Sequence, residues 1–189
     1  MPRPPILPVL DWKSIHESGA DWPAWLARAE FPEHRQRMEA ILAGLKLSRA
    51  AAARLAAIHR PVHVVAIAED WCGDVVRHAP VLRGVEQACP KMTVRFITRE
   101  QRPDVFARFL TNGGEAIPKF VFLSDAWVEC GNWGPMANDL RTIIARGKAC
   151  GDLGAARKKT NALYELDADY AQVVGELVDL AEIASCEAP

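Results

Sequence analysis

The sequence lacks any pair of closely spaced cysteines, and this absence excludes several kinds of redox and metal chemistry. The chain has five cysteines, an odd number, and no two of them form a C-x-x-C motif. Disulfide frameworks of secreted domains use paired cysteines, so we expect reduced thiols and a cytoplasmic protein. The five histidines and the cysteines also lack the tight spacing of zinc ligands, so we expect no metal site.

The sequence also lacks a long apolar run and an excess of either charge. No segment approaches the ~20 apolar residues that a membrane-spanning helix needs. The first eight residues contain four prolines, which argues against a secretory signal. The 23 basic residues nearly cancel the 24 acidic ones, so neither a nucleic-acid partner nor a polybasic membrane contact is expected. The hydrophobic fraction of 50% is typical of a soluble globular protein.

The pattern along the chain predicts one domain of 189 residues with extensions at both ends. Residues 1–31 contain many prolines and predict an irregular arm. Within this arm Trp12, Trp22 and Trp25 offer large apolar surfaces, so we expect them to hold it against the body. Helices are predicted over residues 32–45 and, after an N-cap at Ser48, up to about residue 58. Residues 1–59 thus form an N-terminal extension.

Residues 60–150 show alternating strand and helix signals. Strands are predicted at 62–68, 92–98, 119–123 and 127–130, and helices at 73–88, 103–110 and 136–150. The order β-α-β-α-β-β-α indicates an α/β mixed sheet, with one parallel crossover and one antiparallel hairpin. Residues 151–189 form a C-terminal extension, in which apolar side chains between Leu163 and Leu180 recur at helical spacing and predict one long helix over 156–185.

The thiol of Cys72 is placed where a strand passes into a helix. The free N–H groups and the dipole of the helix start favour a reactive thiolate, whereas Glu69, Asp70 and Asp74 disfavour a second negative charge. A C-x-x-C motif would need a second sulfur at position 75, which is Val75. Cys72 is therefore either a lone nucleophile or an inert thiol.

This order of elements, with Trp71-Cys72-Gly73 after the first core strand and Ile117-Pro118 before the hairpin, resembles the thioredoxin fold over roughly residues 60–150. The resemblance implies that Cys72 is the attacking cysteine, that Pro80 bends its helix and that Pro118 is a cis-proline facing the sulfur. Ala66 stands in the place of a buried carboxylate that helps to move a proton in thioredoxins.

Three segments resemble a bacterial thioredoxin-like family in which the second, resolving cysteine is often absent. They are Glu69-Asp70-Trp71-Cys72-Gly73-Asp74, Asn112-Gly113-Gly114 with Ile117-Pro118-Lys119, and Gly131-Asn132-Trp133-Gly134-Pro135. Val75 stands where the second cysteine would be, and Ala66 stands where the carboxylate would be. The absence of both groups argues against dithiol disulfide reduction.

The resemblance implies a candidate site around the sulfur. Cys72 is the catalytic candidate, and the expected substrate-binding residues are Trp71, Gly73, Asp74, Ile117, Pro118 and Trp133. The two tryptophans either flank a groove or serve ordinary packing, and Asp74 either caps the helix or steers substrates. If the hairpin returns toward Pro118, Cys130 becomes a candidate resolving cysteine, although a core-facing thiol is the alternative.

Three functions remain open from the sequence. The first is a monothiol thiol-disulfide oxidoreductase or thiol-binding protein that acts through Cys72 on protein thiols, or with glutathione as co-substrate and no other cofactor. The second is a non-catalytic module that binds a partner protein. The third is a peroxide reducer or sensor in which Cys72 becomes a sulfenic acid.

Overall fold

The computed structural model describes residues 9–187, which form four strands and nine helices. The strands are β1 (Val62–Ile67), β2 (Met92–Ile97), β3 (Lys119–Leu123) and β4 (Glu129–Trp133). The helices up to β2 are α1 (Trp12–Ser18), α2 (Trp22–Leu26), α3 (Pro32–Gly44), α4 (Arg49–Ala56) and α5 (Gly73–Ala88). The later ones are α6 (Pro103–Phe106), α7 (Asn138–Ala149), α8 (Leu153–Leu166) and α9 (Ala171–Ala184).

The four strands form one mixed sheet in the order β2-β1-β3-β4. β1 pairs in parallel with β2 through the crossover helix α5, and β3 lies antiparallel to both β1 and β4. This arrangement confirms the predicted α/β thioredoxin-like fold with helical extensions.

The sheet lies between two layers of helices. Residues 64–68 are fully buried at every position, and such a continuous apolar strand requires cover on both faces. α5 and α9 pack against each other and against the sheet, while α1 and α2 contact the β1–β2 half. The Trp25 ring stacks on Phe96 of β2 with centroids 4.6 Å apart. The predicted anchoring by the three N-terminal tryptophans is confirmed, since all three are buried.

The prediction of an irregular N-terminal arm is wrong within the described residues. Asp11 and Asp21 accept hydrogen bonds from backbone N–H groups of the following turns, so each caps a short helix. Between these helices Ala20 exchanges two backbone hydrogen bonds with Phe96, which adds a bridge to the outer edge of β2. Helices this short carry little periodic signal, so their caps were the available clue. Residues 1–8 of the predicted arm lie outside the described residues.

The prediction of one C-terminal helix over 156–185 is also wrong. The chain breaks between α8 and α9, where Tyr170 adopts a left-handed conformation with φ of 57°. Leu166, one of the apolar side chains whose spacing predicted this helix, is 82% exposed. Apolar residues recur at three- and four-residue steps on both sides of the turn, so the sequence pattern gave no sign of the break between the two helices. Two smaller predictions can also be compared with the structure. Helix α6 ends at Phe106, earlier than the predicted end at residue 110. Ser48 accepts the N-cap hydrogen bond from the Ala51 N–H, as expected.

Candidate functional site

Cys72 lies at the start of α5, between the end of β1 and the first helical turn. Its side chain is half-buried, and its Sγ donates a hydrogen bond to the Ile117 carbonyl at 3.4 Å. The Ile117–Pro118 peptide bond is cis, as the sequence predicted. The structure therefore brings the lone thiol against the backbone that precedes the cis-proline.

The surroundings of Cys72 favour the protonated thiol. Burial is the largest influence and raises the pKa of the Cys72 thiol, and the nearby Asp74 carboxylate raises it further. The backbone N–H groups of Val75 and Asp74 and the Arg99 guanidinium act in the opposite direction without overcoming burial. The start of α5 therefore stabilises the Cys72 thiolate less than burial destabilises it, contrary to what the sequence alone suggested.

Asp74 connects the site to the C-terminal extension. The Tyr164 hydroxyl of α8 donates a hydrogen bond to Asp74 Oδ1 at 3.1 Å, and burial raises the pKa of the Asp74 carboxyl. Arg77, one turn further along α5, lies 4.2 Å from the Tyr164 ring centroid and donates to the Tyr164 carbonyl. These contacts fix the end of α8 beside the thiol.

Trp71 is held on the protein surface next to Cys72. Its side chain is 47% exposed, and its Nε1 donates to Glu69 at 2.8 Å. Glu69 also pairs with Arg99 at 3.1 Å, and that guanidinium lies over the indole ring at 5.1 Å. Trp71 is therefore a pre-positioned exposed aromatic at the rim of the site.

A cavity of about 460 Å³ opens beside Cys72. Its lining comes from four parts of the chain: the turn after β1, the loop before β3, helix α7 with the residues preceding it, and helix α8. The lining includes Trp71, Cys72, Asp74, Asn112, Glu115, Ile117, Arg141, Ile144, Lys148, Arg157, Asn161 and Tyr164. A cavity of this size is in the usual range for small-molecule sites, about 300–1,000 Å³.

Of the predicted binding residues, Trp71, Asp74 and Ile117 line the cavity with Cys72. Gly73 is exposed at the first position of α5 and Pro118 is buried, and neither lines it. Both still shape the site through the backbone, because Gly73 opens the helix and Pro118 sets the position of the Ile117 carbonyl.

Trp133 does not flank the groove. Its side chain is only 3% exposed, its ring stacks on Phe120, and its Nε1 donates to Glu176 of α9 at 2.6 Å. The packing interpretation left open by the sequence is therefore the correct one. Trp133 ties β4 to the C-terminal helix.

The expectation that the hairpin brings Cys130 to Cys72 is wrong. β4 begins at Glu129, opposite Leu123, and reaches the cis-proline end only at Trp133, opposite Phe120. Cys130 therefore lies near the far end of β3, ~13 Å of strand away from Lys119 at ~3.3 Å per residue. Its thiol donates to the Val128 carbonyl. The strand was predicted at 127–130, about two residues too early, so Cys130 was expected at its last position. In the structure Cys130 is the second residue of β4, at the end of the sheet away from the cis-proline.

Gly134 packs closely against Pro118, and the sequence singled it out only as part of a five-residue segment. It has a φ of 112°, and a Cβ placed there would lie 2.1 Å from the Pro118 carbonyl oxygen. Its own carbonyl accepts hydrogen bonds from Lys119 Nζ at 2.7 Å and from Arg141 at 3.3 Å. Burial lowers the pKa of Lys119 to about 8. The Gly134–Pro135 peptide bond is also cis.

The cavity residues on the helices that follow the sheet were not predicted from the sequence, among them Arg141, Lys148, Arg157 and Tyr164. The seven-residue spacing of Arg141 and Lys148 places them on one face of α7 and was an available signal. Nothing local in the sequence points to Arg157 or Tyr164, because their approach to Cys72 depends on how α8 packs.

Residues 9–187 contain neither a metal-binding cluster nor a membrane-spanning helix. No group of three or more His, Cys, Asp or Glu side chains in that range is arranged to hold a metal ion. No helix there is both long enough and apolar enough to cross a membrane.

Comparison with known proteins gives the same fold and a family. A crystal structure of PA1234 from Pseudomonas aeruginosa, a protein of unknown function, superposes with a TM-score of 0.70 at 16% identity, covering 92% of this chain and 98% of that one. An HIV epitope-scaffold superposes with a TM-score of 0.71, at the same identity and coverage. No curated protein matches the sequence significantly. The family model described as thioredoxin matches residues 19–150, well over half of the chain, and the protein therefore belongs to this thioredoxin family.

Proposed function

We propose that the protein is a monothiol thiol-disulfide exchange protein that acts through Cys72. The Cys72 sulfur, as thiolate, attacks one sulfur of a disulfide such as oxidised glutathione and forms a mixed disulfide. The other half leaves as a thiolate and takes up the proton that Cys72 gave up. A second small thiol then attacks the mixed disulfide, releases Cys72 and becomes part of a new disulfide, so the protein returns to its starting state.

One observation carries this proposal: the half-buried Cys72 sulfur lines a cavity and lies within hydrogen-bond distance of the Ile117 carbonyl before cis-Pro118. A bound disulfide would have both a nucleophile and an adjacent backbone against which to align. The cycle needs no second cysteine, which agrees with the valine at position 75 and with the distant position of Cys130.

The raised pKa of Cys72 sets how this exchange responds to pH. Burial keeps most molecules in the thiol form at neutral pH, and the nucleophile is the thiolate. The exchange rate is therefore expected to increase as the pH rises from 7 toward and beyond the ordinary cysteine value of about 8.5. A rate independent of pH over this range would contradict the assigned protonation state.

The experiment that tests the proposal combines oxidised glutathione with site-resolved mass spectrometry on the full chain. We expect a glutathione adduct on Cys72 that a second thiol removes, and glutathione-coupled activity that disappears in Cys72→Ser. The matched control is Cys150→Ser, because Cys150 is an exposed thiol outside the cavity. Activity retained in Cys72→Ser, or lost equally in both variants, would refute the proposal.

The alternative is a non-catalytic module that uses the same groove to hold a partner protein. The raised pKa of Cys72 favours it, because a protonated thiol is a poor nucleophile. The exposed Trp71 at the rim would then serve as the contact. Partner capture that is unchanged by Cys72→Ser and weakened by Trp71→Ala, with no glutathione adduct, would decide for this alternative.

A further inference from the structure

The cavity beside Cys72 has one cationic wall. Arg141 and Lys148 reach it from two turns of α7, and Arg157 reaches it from α8. Within residues 9–187 no carboxylate lies within ion-pairing distance of any of these three side chains, although Arg141 donates to the Gly134 carbonyl. The chain as a whole has a net charge of −1, so this local excess of positive charge is not a general property of its surface.

The acidic groups of the cavity are held by other partners. The Asp74 carboxylate accepts the hydrogen bond of Tyr164, and Glu115 pairs with Arg99 at 3.3 Å. Neither neutralises the cationic wall. The side chains of Asn112 and Asn161, both exposed, add donors and acceptors that suit peptide-like groups, and Ile144 lies between the two cations of α7.

The α8 part of this wall is fixed rather than loosely attached. At one end of α8, Ala156 packs so closely on α7 that a Cβ at Gly147 would lie 2.3 Å from its methyl group. At the other end Tyr164 is hydrogen-bonded to Asp74 and covered by the Arg77 guanidinium. These contacts fix the α8 backbone that carries Arg157 at the cavity before any ligand arrives, which lowers the entropy lost on binding.

We propose that this cavity binds a low-molecular-weight thiol compound that carries carboxylates, with the sulfur toward Cys72 and the carboxylates toward Arg141, Lys148 and Arg157. The cavity volume of about 460 Å³ suits a small molecule rather than a folded partner. The guanidinium groups of Arg141 and Arg157 and the ammonium group of Lys148 can each pair with a carboxylate, and a guanidinium can do so through two parallel hydrogen bonds. The inference rests on the proposed function for the role of the sulfur and adds the class of substrate.

The test uses S-methylglutathione, a thioether that carries two carboxylates and cannot exchange. Its affinity for full-length Cys72→Ser is measured by calorimetry and compared with that of the same protein carrying Lys148→Gln and Arg157→Gln. We expect the double substitution to weaken binding about tenfold, and added salt to weaken it in the parent but much less in the variant. The matched control carries Arg146→Gln and Lys158→Gln, which remove the same charge from exposed positions on the same helices outside the cavity, and we expect it to bind like the parent.

The outcomes separate this inference from the proposed function. No measurable binding, equal affinity in the double variant, or an equal loss in the control would overturn the inference. If S-methylglutathione binds as expected while Cys72 forms no adduct with oxidised glutathione, the exchange function fails and the carboxylate site stands. Suppose instead that wild-type Cys72 forms adducts equally well with oxidised glutathione and with the uncharged hydroxyethyl disulfide, and that a Lys148→Gln, Arg157→Gln variant that keeps Cys72 does the same. Exchange then stands and the carboxylate site fails.

Discussion

Acidification is expected to destabilise the protein because His16 is buried in its neutral form. This side chain of α1 is only 6% exposed, and its Nε2 lies 3.2 Å from the Thr93 carbonyl of β2. Its ring lies 5.2 Å from that of His63 and 5.4 Å from Trp127. Burial is the main cause that lowers the pKa of His16 to about 4, and the adjacent His63 and Arg95 lower it further.

The sign and size of the effect follow from the two pKa values. The unfolded chain binds a proton on this histidine near pH 6.5, whereas the folded chain resists it until about pH 4. The free energy of unfolding therefore falls as the pH is lowered from about 6.5 to about 4, and this group causes no further loss below that range. At about 1.4 kcal/mol for each pH unit between the two values, His16 alone contributes a loss of ~3 kcal/mol.

The assay is urea unfolding, followed by tryptophan fluorescence, at pH 7, 5 and 4 for the wild type and for His16→Gln. The glutamine amide can still donate to the Thr93 carbonyl but does not titrate, so the variant should lose ~3 kcal/mol less than the wild type between pH 7 and 4. The fully buried His78, whose pKa burial lowers to about 3, is present in both proteins and cancels in the comparison. His59→Gln, at an exposed position, is the control. An identical acid-dependent loss in His16→Gln and in the wild type would refute the reasoning.

Two substitutions test the site itself. Asp74→Asn removes a charge that raises the Cys72 pKa while keeping an oxygen for the Tyr164 hydroxyl, so the alkylation rate of Cys72 at pH 7.5 should increase severalfold. An unchanged rate-against-pH profile would show that this carboxylate does not act on the thiol. Gly134→Ala should destabilise the fold by about 3 kcal/mol or more, since the new methyl group would meet the Pro118 carbonyl at 2.1 Å and the φ of 112° suits glycine. Chemical denaturation measures this loss, and a stability within about 0.5 kcal/mol of the wild type would contradict the described close approach.

The features that the sequence predicted well are those encoded in short contiguous stretches. The apolar run of β1 and the turn that carries Cys72 each depend on a few adjacent residues, and the structure contains both. The cis state of Pro118, which the resemblance implied, is also present. Ser48 was identified as an N-cap by the same kind of local signal.

The features that could not be predicted depend on packing between distant parts of the chain. Tyr164 reaches Asp74 across 90 positions, and Trp133 finds Glu176 across 43. No periodicity or motif specifies such pairs, because they depend on the angle at which α8 and α9 return to the sheet. For Cys130 the element was predicted but its start was misplaced by about two residues, and in a hairpin such an offset moves a side chain from one end of the sheet toward the other.

Helix α8 lies outside the part of the chain that the family model matches, although it lines the cavity beside Cys72. The thioredoxin family match ends at residue 150, whereas Arg157, Asn161 and Tyr164 belong to the helix that begins at Leu153. Under the proposed function, the Cys72 sulfur and the α8 part of the carboxylate-binding wall thus reside in different stretches of the polypeptide. Exchange of that single helix offers a route to redirect the protein to another class of molecule while the cysteine and its turn stay as they are.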